Sequence, residues 1–252
     1  MAAPAALSPV ASPAWRRLLQ SSIDAHAHIP AASFVQLATV RPNGTPANRS
    51  LVFRGFLEDS DSLIFYTDGR SSKVKEIEAF PQAELCWYFC DSWEQFRIAG
   101  TISTVHAHSP NPSLVNLRRA AWQPLTAQQR WQYCRGYPGT PWEESCEGEA
   151  EAKGRPEGHE SSLAAMALLT EPQAQEGSGG SSTDKAEGAA EGVESVEPVE
   201  GFCLLLLDPH EVDYVHVRTP SRYRHTKHVA EAGKEAGAAG KGAEWTTMRI
   251  HL

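Results

Sequence analysis

The chain has 252 residues, a formal net charge of −8 and a hydrophobic fraction of 41%. This length allows one large domain or two small ones, and the apolar fraction is sufficient for a packed core. No apolar run approaches the roughly 18 residues that a transmembrane helix needs, so we expect no membrane span. The odd count of five cysteines, without close pairing, argues against a disulfide framework and indicates a reduced, intracellular protein, and the lack of a CxxC pair argues against a structural zinc site.

The acidic charge is concentrated in residues 143–200, which contain 15 acidic and three basic residues, a balance of −12. This segment has no Trp, Tyr or Phe and cannot bury enough apolar surface to offset chain entropy. We therefore predict a disordered low-complexity insert with a transient helix at 163–169 as its one exception. The remaining 194 residues carry a balance of +4, which suits a phosphorylated small molecule but includes no basic stripe for nucleic acid.

The first 12 residues are rich in Ala and Pro and contain no hydrophobic signal core. We predict a disordered N-terminus over 1–12 and a cytoplasmic location, with a plastid or mitochondrial transit peptide as the alternative. The ordered part is then expected in two pieces, 13–142 and 201–252, on either side of the insert.

Hydrophobic periodicity and turn residues predict the elements of the first piece. An Asn43-Gly44 turn is the strongest hairpin signal. The predicted strands are 34–40, 47–56, 62–66, 83–89 and 95–106. The predicted helices are 13–28, 72–79 and a stretch over 113–133 that is broken near Pro124 and capped by Thr126.

After the insert, strands are predicted at 202–207, 212–217 and 245–250. Seven or eight short strands, few helices and hairpin connections are typical of a closed or partly open antiparallel barrel. The absence of βαβ alternation and of a Gly-rich fingerprint disfavours Rossmann and P-loop folds. The sequence thus predicts a mainly β protein, a β-barrel with flanking helices, in which 201–252 completes the barrel.

Three segments combine residue types that suit a phosphorylated, heteroaromatic ligand. Arg49 and Arg54 bracket an apolar strand and face opposite sides of it, and guanidinium groups bind phosphate through paired hydrogen bonds. Residues 65–73 end a strand and open a helix, a place where hydroxyls, a cation and free N–H groups converge. Gln95 shares a strand face with Arg97 and can contact the edge of a ring. The alternatives are solvated strand arginines and ordinary helix capping by Ser71 or Ser72.

In order and spacing, these segments resemble the pyridoxamine 5′-phosphate oxidase-like flavoproteins, which have a Greek-key antiparallel FMN-binding split barrel. The resemblance covers 13–142 and 201–252. It implies FMN contacts from Arg49, Ser50, Leu51, Val52, Arg54, Tyr66, Thr67, Ser71, Ser72, Lys73 and Gln95. It implies substrate contacts from Arg54, Arg222 and Arg224.

The resemblance further implies an FMN-dependent oxidase that acts as a homodimer. Its substrate is then pyridoxamine or pyridoxine 5′-phosphate, whose C4′ carbon delivers a hydride to the flavin; dioxygen reoxidises the flavin, and pyridoxal 5′-phosphate is formed. The flavin performs the redox step, and no catalytic side chain is assigned.

Four positions depart from the family pattern. Arg54 replaces the Lys that is usual in the family, and Ser72 replaces an Arg. Arg224 replaces a His, and Val215 replaces a Trp. These departures keep two alternatives open, a different FMN oxidoreductase such as a flavin reductase and a non-catalytic FMN- or pyridoxal phosphate-binding protein. Two His-x-His pairs, at 26–28 and 106–108, have no acidic or Cys cluster beside them, and we expect no metal site.

Overall fold

The computed structural model describes residues 12–134, 138–139, 197–228 and 244–252. Apart from residues 12 and 197–200, the predicted disordered N-terminus and acidic insert, with the helix at 163–169, lie outside these ranges. The described residues fall into two compact units. The first comprises the residues up to Tyr66, Ser72–Thr104 and those from Leu204 onward, and the second comprises Thr67–Ser71 and Val105–Cys203.

Four α-helices, one short 3-10 helix (Pro30–Ser33) and eight strands are present within the described ranges. The helices are α1 (Ala14–Ala25), α2 (Ser72–Ala79), α3 (Pro112–Trp122) and α4 (Ala127–Trp131). The strands are β1 (Phe34–Val40), β2 (Pro46–Phe56), β3 (Leu63–Asp68), β4 (Gln82–Phe89), β5 (Glu94–Val105), β6 (Phe202–His216), β7 (Ser221–His228) and β8 (Glu244–Ile250). None of the described helices is both long and apolar enough to cross a membrane.

The strands form one antiparallel sheet in the order β3-β2-β1-β4-β5-β6-β7-β8. An additional pairing of β3 with β6 closes the first six strands into a barrel, and β7 and β8 continue the sheet from β6. The mainly β antiparallel barrel that the sequence predicts is therefore confirmed. Closure removes the sheet edge at β3, which would otherwise expose unpaired backbone groups, and leaves β8 as the edge strand.

The core of the first unit lies inside the barrel and follows the two-residue period of its strands. Alternate residues of β1, β4 and β5 are fully buried there: Val35, Leu37, Leu85, Trp87, Phe96 and Ile98. Helix α1 adds Trp15 and Leu19, both fully buried. The Trp15 ring packs against Trp245 of β8, with ring centroids 5.4 Å apart. The helix that the sequence predicts at 13–28 thus exists over the shorter span of α1, and two of its apolar residues belong to the barrel core.

Two strand predictions after the insert were wrong. The predicted strands at 202–207 and 212–217 are one continuous 15-residue strand, β6, because Asp208 and Pro209 do not interrupt its extended path. Strand β7 was not predicted as a strand, since its sequence SRYRHTKH is polar throughout. It forms because its backbone pairs with β6 on one side and with β8 on the other.

The second unit contains α3, α4 and residues 197–203. The predicted break near Pro124 is confirmed, and Thr126 caps α4 through a capping box with Gln129. Arg118 of α3 is buried, and its guanidinium donates hydrogen bonds to the carbonyl oxygens of Val199 (2.6 Å) and Phe202 (2.7 Å). This buried cation therefore fixes residues 199–202 against α3.

Gly100 allows β5 to approach β6. A Cβ atom added at this glycine would lie 2.4 Å from the carbonyl oxygen of Asp208, far inside van der Waals contact. We therefore expect Gly100→Ala to lower the free energy of unfolding by about 1–3 kcal/mol through overpacking. Urea denaturation followed by circular dichroism measures the change, with Ser103→Ala, at an exposed site on the same strand, as the control. Equal stability of Gly100→Ala and the parent protein would contradict this account of the strand contact.

Candidate functional site

The two predicted site arginines of β2 lie in different environments. Arg49 pairs with Leu37 of β1, so its side chain is on the inner face of the sheet, near the end that α2 covers. Arg54 follows a change of register, because Phe53 pairs with Phe65 whereas Gly55 pairs with Ile64. This bulge makes Arg54 the extra residue of β2, and the φ of +138° at Gly55 is a backbone geometry that favours glycine.

The bulge brings Arg54 to Tyr66 of β3. The guanidinium carbon of Arg54 lies 5.1 Å from the centre of the Tyr66 ring, within the range of a cation–π contact. Burial raises the pKa of the Tyr66 phenol, and the nearby Arg54 charge offsets part of that rise. The phenol therefore stays protonated at neutral pH and can donate a hydrogen bond, next to a fixed positive charge.

Arg49 is held by two polar residues. Its Nη2 donates to Oε2 of Glu76 in α2 at 2.5 Å, and its Nη1 donates to Oγ1 of Thr39 at 2.5 Å and to the Leu37 carbonyl at 3.2 Å. Glu76 and Thr39 are both buried. This arrangement joins α2, β1 and β2 through a charged hydrogen-bonded cluster.

The predicted helix entry is present, and α2 begins at Ser72. Ser72 is exposed and Lys73 is half-buried in the first turn. In the second unit, Thr67 and Ser71 are buried, and the Ser71 hydroxyl donates to the Asp68 carbonyl at 2.6 Å. The Asp68 carboxylate accepts from the backbone N–H and the guanidinium of Arg70, so its negative charge is neutralised locally.

The remaining predicted FMN residues occupy different positions on the sheet. Leu51 lies in the hydrophobic core, Val52 is half-buried and Ser50 is exposed. Gln95 shares its face of β5 with Arg97, which forms an ion pair with Glu84 at 2.8 Å. In the strand order, β1 and β4 lie between β2 and the β5 strand that carries Gln95. The structure thus brings Arg54 to Tyr66 and Arg49 to α2, whereas Gln95 lies on a separate strand, β5.

The predicted substrate residues Arg222 and Arg224 lie on β7. Asp213 of β6, a buried residue, accepts from Arg222 through both carboxylate oxygens, at 2.5 and 2.9 Å. The Arg222 hydrogen bonds outweigh burial and lower the pKa of Asp213. Arg224 lies 3.7 Å from Glu211 and 3.9 Å from the same Asp213. A cleft of about 440 Å³ lies beside Arg222; its lining includes Ser221, Arg222, Arg249 and His251.

Sequence reasoning missed the carboxylates that hold these arginines. Glu76 and Asp213 are two of the buried charged residues of the first unit, and each is bonded to a predicted ligand-binding arginine. In the sequence, Glu76 is one of several charged residues of an amphipathic helix. Asp213 is one of the polar residues that alternate with apolar ones along a strand. Their distance along the sequence from Arg49 and Arg222 does not predict these ion pairs, because the contacts arise from helix packing and from strand pairing.

Comparisons with known proteins bear on the family of the chain. Residues 12–106 match the family model described as pyridoxamine 5′-phosphate oxidase, FMN-binding domain. The chain is 34% identical over 237 residues to pyridoxine/pyridoxamine 5′-phosphate oxidase 2 of Arabidopsis thaliana, which covers 94% of this chain and 96% of the relative. The match to the oxidase of Rubrobacter xylanophilus is shorter, 38% over 65 residues, and spans only 29% of that relative.

Two solved structures share the fold. An FMN-binding protein of Nostoc punctiforme PCC 73102, described as related to pyridoxamine 5′-phosphate oxidase, is 32% identical with a TM-score of 0.68; 96% of this chain and 99% of that chain are covered. PhzG from Burkholderia lata 383 is 17% identical with a TM-score of 0.60 over 94% of this chain and 91% of its own, and this likeness concerns the fold alone. The barrel, the motif residues that it carries and a relative matched over nearly its whole length establish that the chain belongs to the pyridoxamine 5′-phosphate oxidase-like family of FMN-binding split-barrel proteins.

Proposed function

We propose that this protein is an FMN-dependent oxidase that converts pyridoxamine or pyridoxine 5′-phosphate to pyridoxal 5′-phosphate with dioxygen as the electron acceptor. The observation that carries the proposal is the similarity to the Arabidopsis oxidase over 237 residues, which includes the segments on both sides of the acidic insert. The oxidase name belongs to that relative, so the reaction needs a direct test here.

The residues of the first unit fit the phosphate end of FMN. Hydrogen bonds to Leu37, Thr39 and Glu76 use three of the five N–H groups of Arg49, leaving two for a ligand among the residues described. Lys73 in the first turn of α2 adds a second cation, and the N–H groups at a helix start favour an anion. The Glu76 carboxylate is already paired with a guanidinium, which reduces its repulsion of a phosphate.

When bound, FMN would supply the redox chemistry, as acceptor of the hydride and donor of electrons to dioxygen. The protein's part is to bind and orient, and Arg54 with Tyr66 forms one fixed cation and one phenol donor for that purpose. Gln95 can both donate to and accept from the edge of the flavin ring. Ser50, Val52 and Ser72 complete the proposed FMN contacts on this unit, and Leu51 would contribute through its backbone because its side chain is buried.

At the substrate end, Arg222 and Arg224 are proposed to bind the phosphorylated substrate, together with Arg54. Asp213 holds Arg222 through both carboxylate oxygens, which orients the remaining guanidinium N–H groups. The adjacent cleft of about 440 Å³ has a volume that suits a ligand of this size. The resemblance also implies a homodimer, which light scattering after gel filtration would measure as twice the chain mass of 27.5 kDa.

A second candidate is an FMN protein that uses a different electron donor. It is favoured by Arg224, which stands where the family pattern has a substrate-binding His, and by the position of this arginine beside Glu211 and Asp213. An arginine cannot act as an acid or base near neutral pH as a histidine can. This candidate keeps the same flavin site and differs only in the substrate.

Anaerobic titration tests the proposed reaction. We expect the purified protein to show a visible flavin band that bleaches when pyridoxamine 5′-phosphate is added without oxygen, because hydride transfer reduces the flavin. Readmitted oxygen should restore the band and release hydrogen peroxide and pyridoxal 5′-phosphate. A yellow protein that stays oxidised would contradict the oxidase proposal and favour the second candidate.

A variant of Arg49 tests the proposed phosphate contact. We expect Arg49→Ala to weaken FMN binding by about 1.5–3 kcal/mol, because it removes a charge-assisted hydrogen bond. Quenching of flavin fluorescence during titration of the apoprotein measures the Kd. Arg17→Ala, which removes an exposed arginine of α1, is the control for net charge and should leave the Kd unchanged. An unaltered Kd in Arg49→Ala would remove this residue from the flavin site.

A variant of Arg222 tests the substrate end separately. We expect Arg222→Ala to raise the KM for pyridoxamine 5′-phosphate by about ten-fold through loss of a charged hydrogen bond, with the flavin content unchanged. Arg218→Ala is the matched control, since Arg218 stacks on the Trp93 ring in the same region of the chain. Steady-state peroxide assays give both constants. If KM stays at the parent value, Arg222 does not bind the substrate.

A further inference from the structure

Glu76 is an unusual residue for its position. It lies on α2, is only 4% exposed, and faces the inner side of β1 and β2. Burial of a carboxylate is costly unless it is paired and hydrogen-bonded. An apolar residue would pack here without that cost, so the charge calls for a physical reason beyond filling the core.

Glu76, Thr39 and Arg49 are hydrogen-bonded to one another. Its Oε2 atom accepts from the Thr39 hydroxyl at 2.5 Å and from the Arg49 guanidinium at 2.5 Å, and Arg49 also donates to the same Thr39 hydroxyl. Three side chains from three elements therefore bond to each other in a triangle. Burial favours the neutral acid, but the hydrogen bond from Thr39 and the charge of Arg49 lower the pKa of Glu76 below its ordinary value. The carboxylate is thus ionised at neutral pH.

The hydrogen bonds of the triangle restrict the orientation of the Arg49 guanidinium but do not involve all of its N–H groups. Nη1 donates to Leu37 and Thr39, and Nη2 donates to Glu76, so the plane and direction of the Arg49 head group are set by three acceptors. Among the described residues, two of the five guanidinium N–H groups remain beyond these three contacts to Leu37, Thr39 and Glu76 and are the ones that we propose for the phosphate. An arginine without such partners would lose side-chain entropy when it binds a phosphate, and a preoriented arginine has already lost it.

The negative charge of Glu76, taken by itself, has the opposite effect on phosphate binding. A carboxylate next to a phosphate site lowers the local positive potential and weakens anion binding, so a site selected only for charge would have a neutral residue at this position. The two effects of Glu76 on phosphate affinity therefore have opposite signs. This opposition makes the role of the residue measurable.

We propose that Glu76 is a positioning residue for the flavin phosphate, which together with Thr39 fixes the Arg49 guanidinium in the orientation that binds the phosphate. The inference rests on the proposed contact between Arg49 and FMN and adds to it the residues that make the contact possible. Glu76 itself does not touch the ligand in this arrangement.

The test compares FMN with riboflavin, which lacks the phosphate. The full chain, freed of flavin, is titrated with each ligand, and the ratio of the riboflavin Kd to the FMN Kd reports the phosphate contribution alone. We expect Glu76→Gln, which keeps the shape of the side chain and removes its charge, to lower this ratio by about ten-fold while the riboflavin Kd stays constant. Glu78→Gln removes the same charge from an exposed position of the same helix and should leave the ratio unchanged.

Each other outcome has a defined meaning. A higher ratio in Glu76→Gln would show that the residue acts only through its charge, and an equal loss of affinity for both ligands would show a merely structural role; either overturns the proposal. If Glu76→Gln does not fold, Thr39→Val is used instead, because it removes the other side-chain partner of Arg49. The ratio of the riboflavin Kd to the FMN Kd in this variant then tests the proposal in the same way.

A double variant separates this proposal from the one on which it rests. In the Arg49→Ala background, Glu76→Gln should have no further effect on the ratio, because there is no guanidinium left to orient. If Arg49→Ala lowers the ratio and Glu76→Gln does not, only the positioning role fails. If Arg49→Ala itself leaves the ratio unchanged, the proposed phosphate contact of Arg49 fails, and the role of Glu76 fails with it.

Discussion

The closure of six strands into a barrel is the constraint on which the other features of the first unit depend. Once β3 pairs with β6, every barrel strand has one face toward a dry interior and one face away from it. The interior accepts large apolar side chains such as Trp87 and Phe96, and a polar group there must bring its own partner. Two charged residues of the barrel strands show this: Arg49 of β2 is bound to Glu76, and Glu94 of β5 accepts hydrogen bonds from the hydroxyls of Ser22 and Tyr214.

Two ion pairs, one inside the barrel and one between β6 and β7, involve arginines that we propose as ligand contacts. Arg49 lies on the inner face and is paired with Glu76, and Arg222 is paired with the buried Asp213. Burying such pairs seldom adds stability over an apolar alternative, so their presence favours a role in orienting the arginines. Oriented guanidinium groups are useful for a phosphorylated ligand because two parallel hydrogen bonds need a defined plane.

Membership of the family identifies the cofactor as FMN, whereas it leaves the substrate open. The matched model describes an FMN-binding domain, and the first strand-and-helix segments of the chain carry that match. Two of the arginines that we propose to bind the substrate, Arg222 and Arg224, lie in β7, beyond residues 12–106, and Arg224 stands in place of the expected His. In the proposed assignment Arg54 contacts both ligands, whereas Arg222 and Arg224 contact the substrate alone, so substrate choice can diverge at β7 while the flavin site is kept.

The sequence by itself determined the element types, the barrel class and the family. Alternating apolar residues, the Asn43-Gly44 turn and the Pro124–Thr126 break are local signals, and each produced the expected structure because short-range sterics and hydrogen bonding decide it. The motif residues of β2, β3 and α2 were also recognisable by order and spacing alone. What the sequence missed in the fold, the continuity of β6 and the existence of β7, depends on pairing with distant strands.

Only the tertiary structure decided which charged residues act together. The contacts of Arg49 with Glu76 and of Arg222 with Asp213 join residues 27 and nine positions apart, and neither separation follows a helical or strand period. The extra residue at Arg54, which brings it to Tyr66, likewise arises from the register between two strands. Such contacts are set by how elements pack and pair, and a linear pattern of residue types does not contain that information.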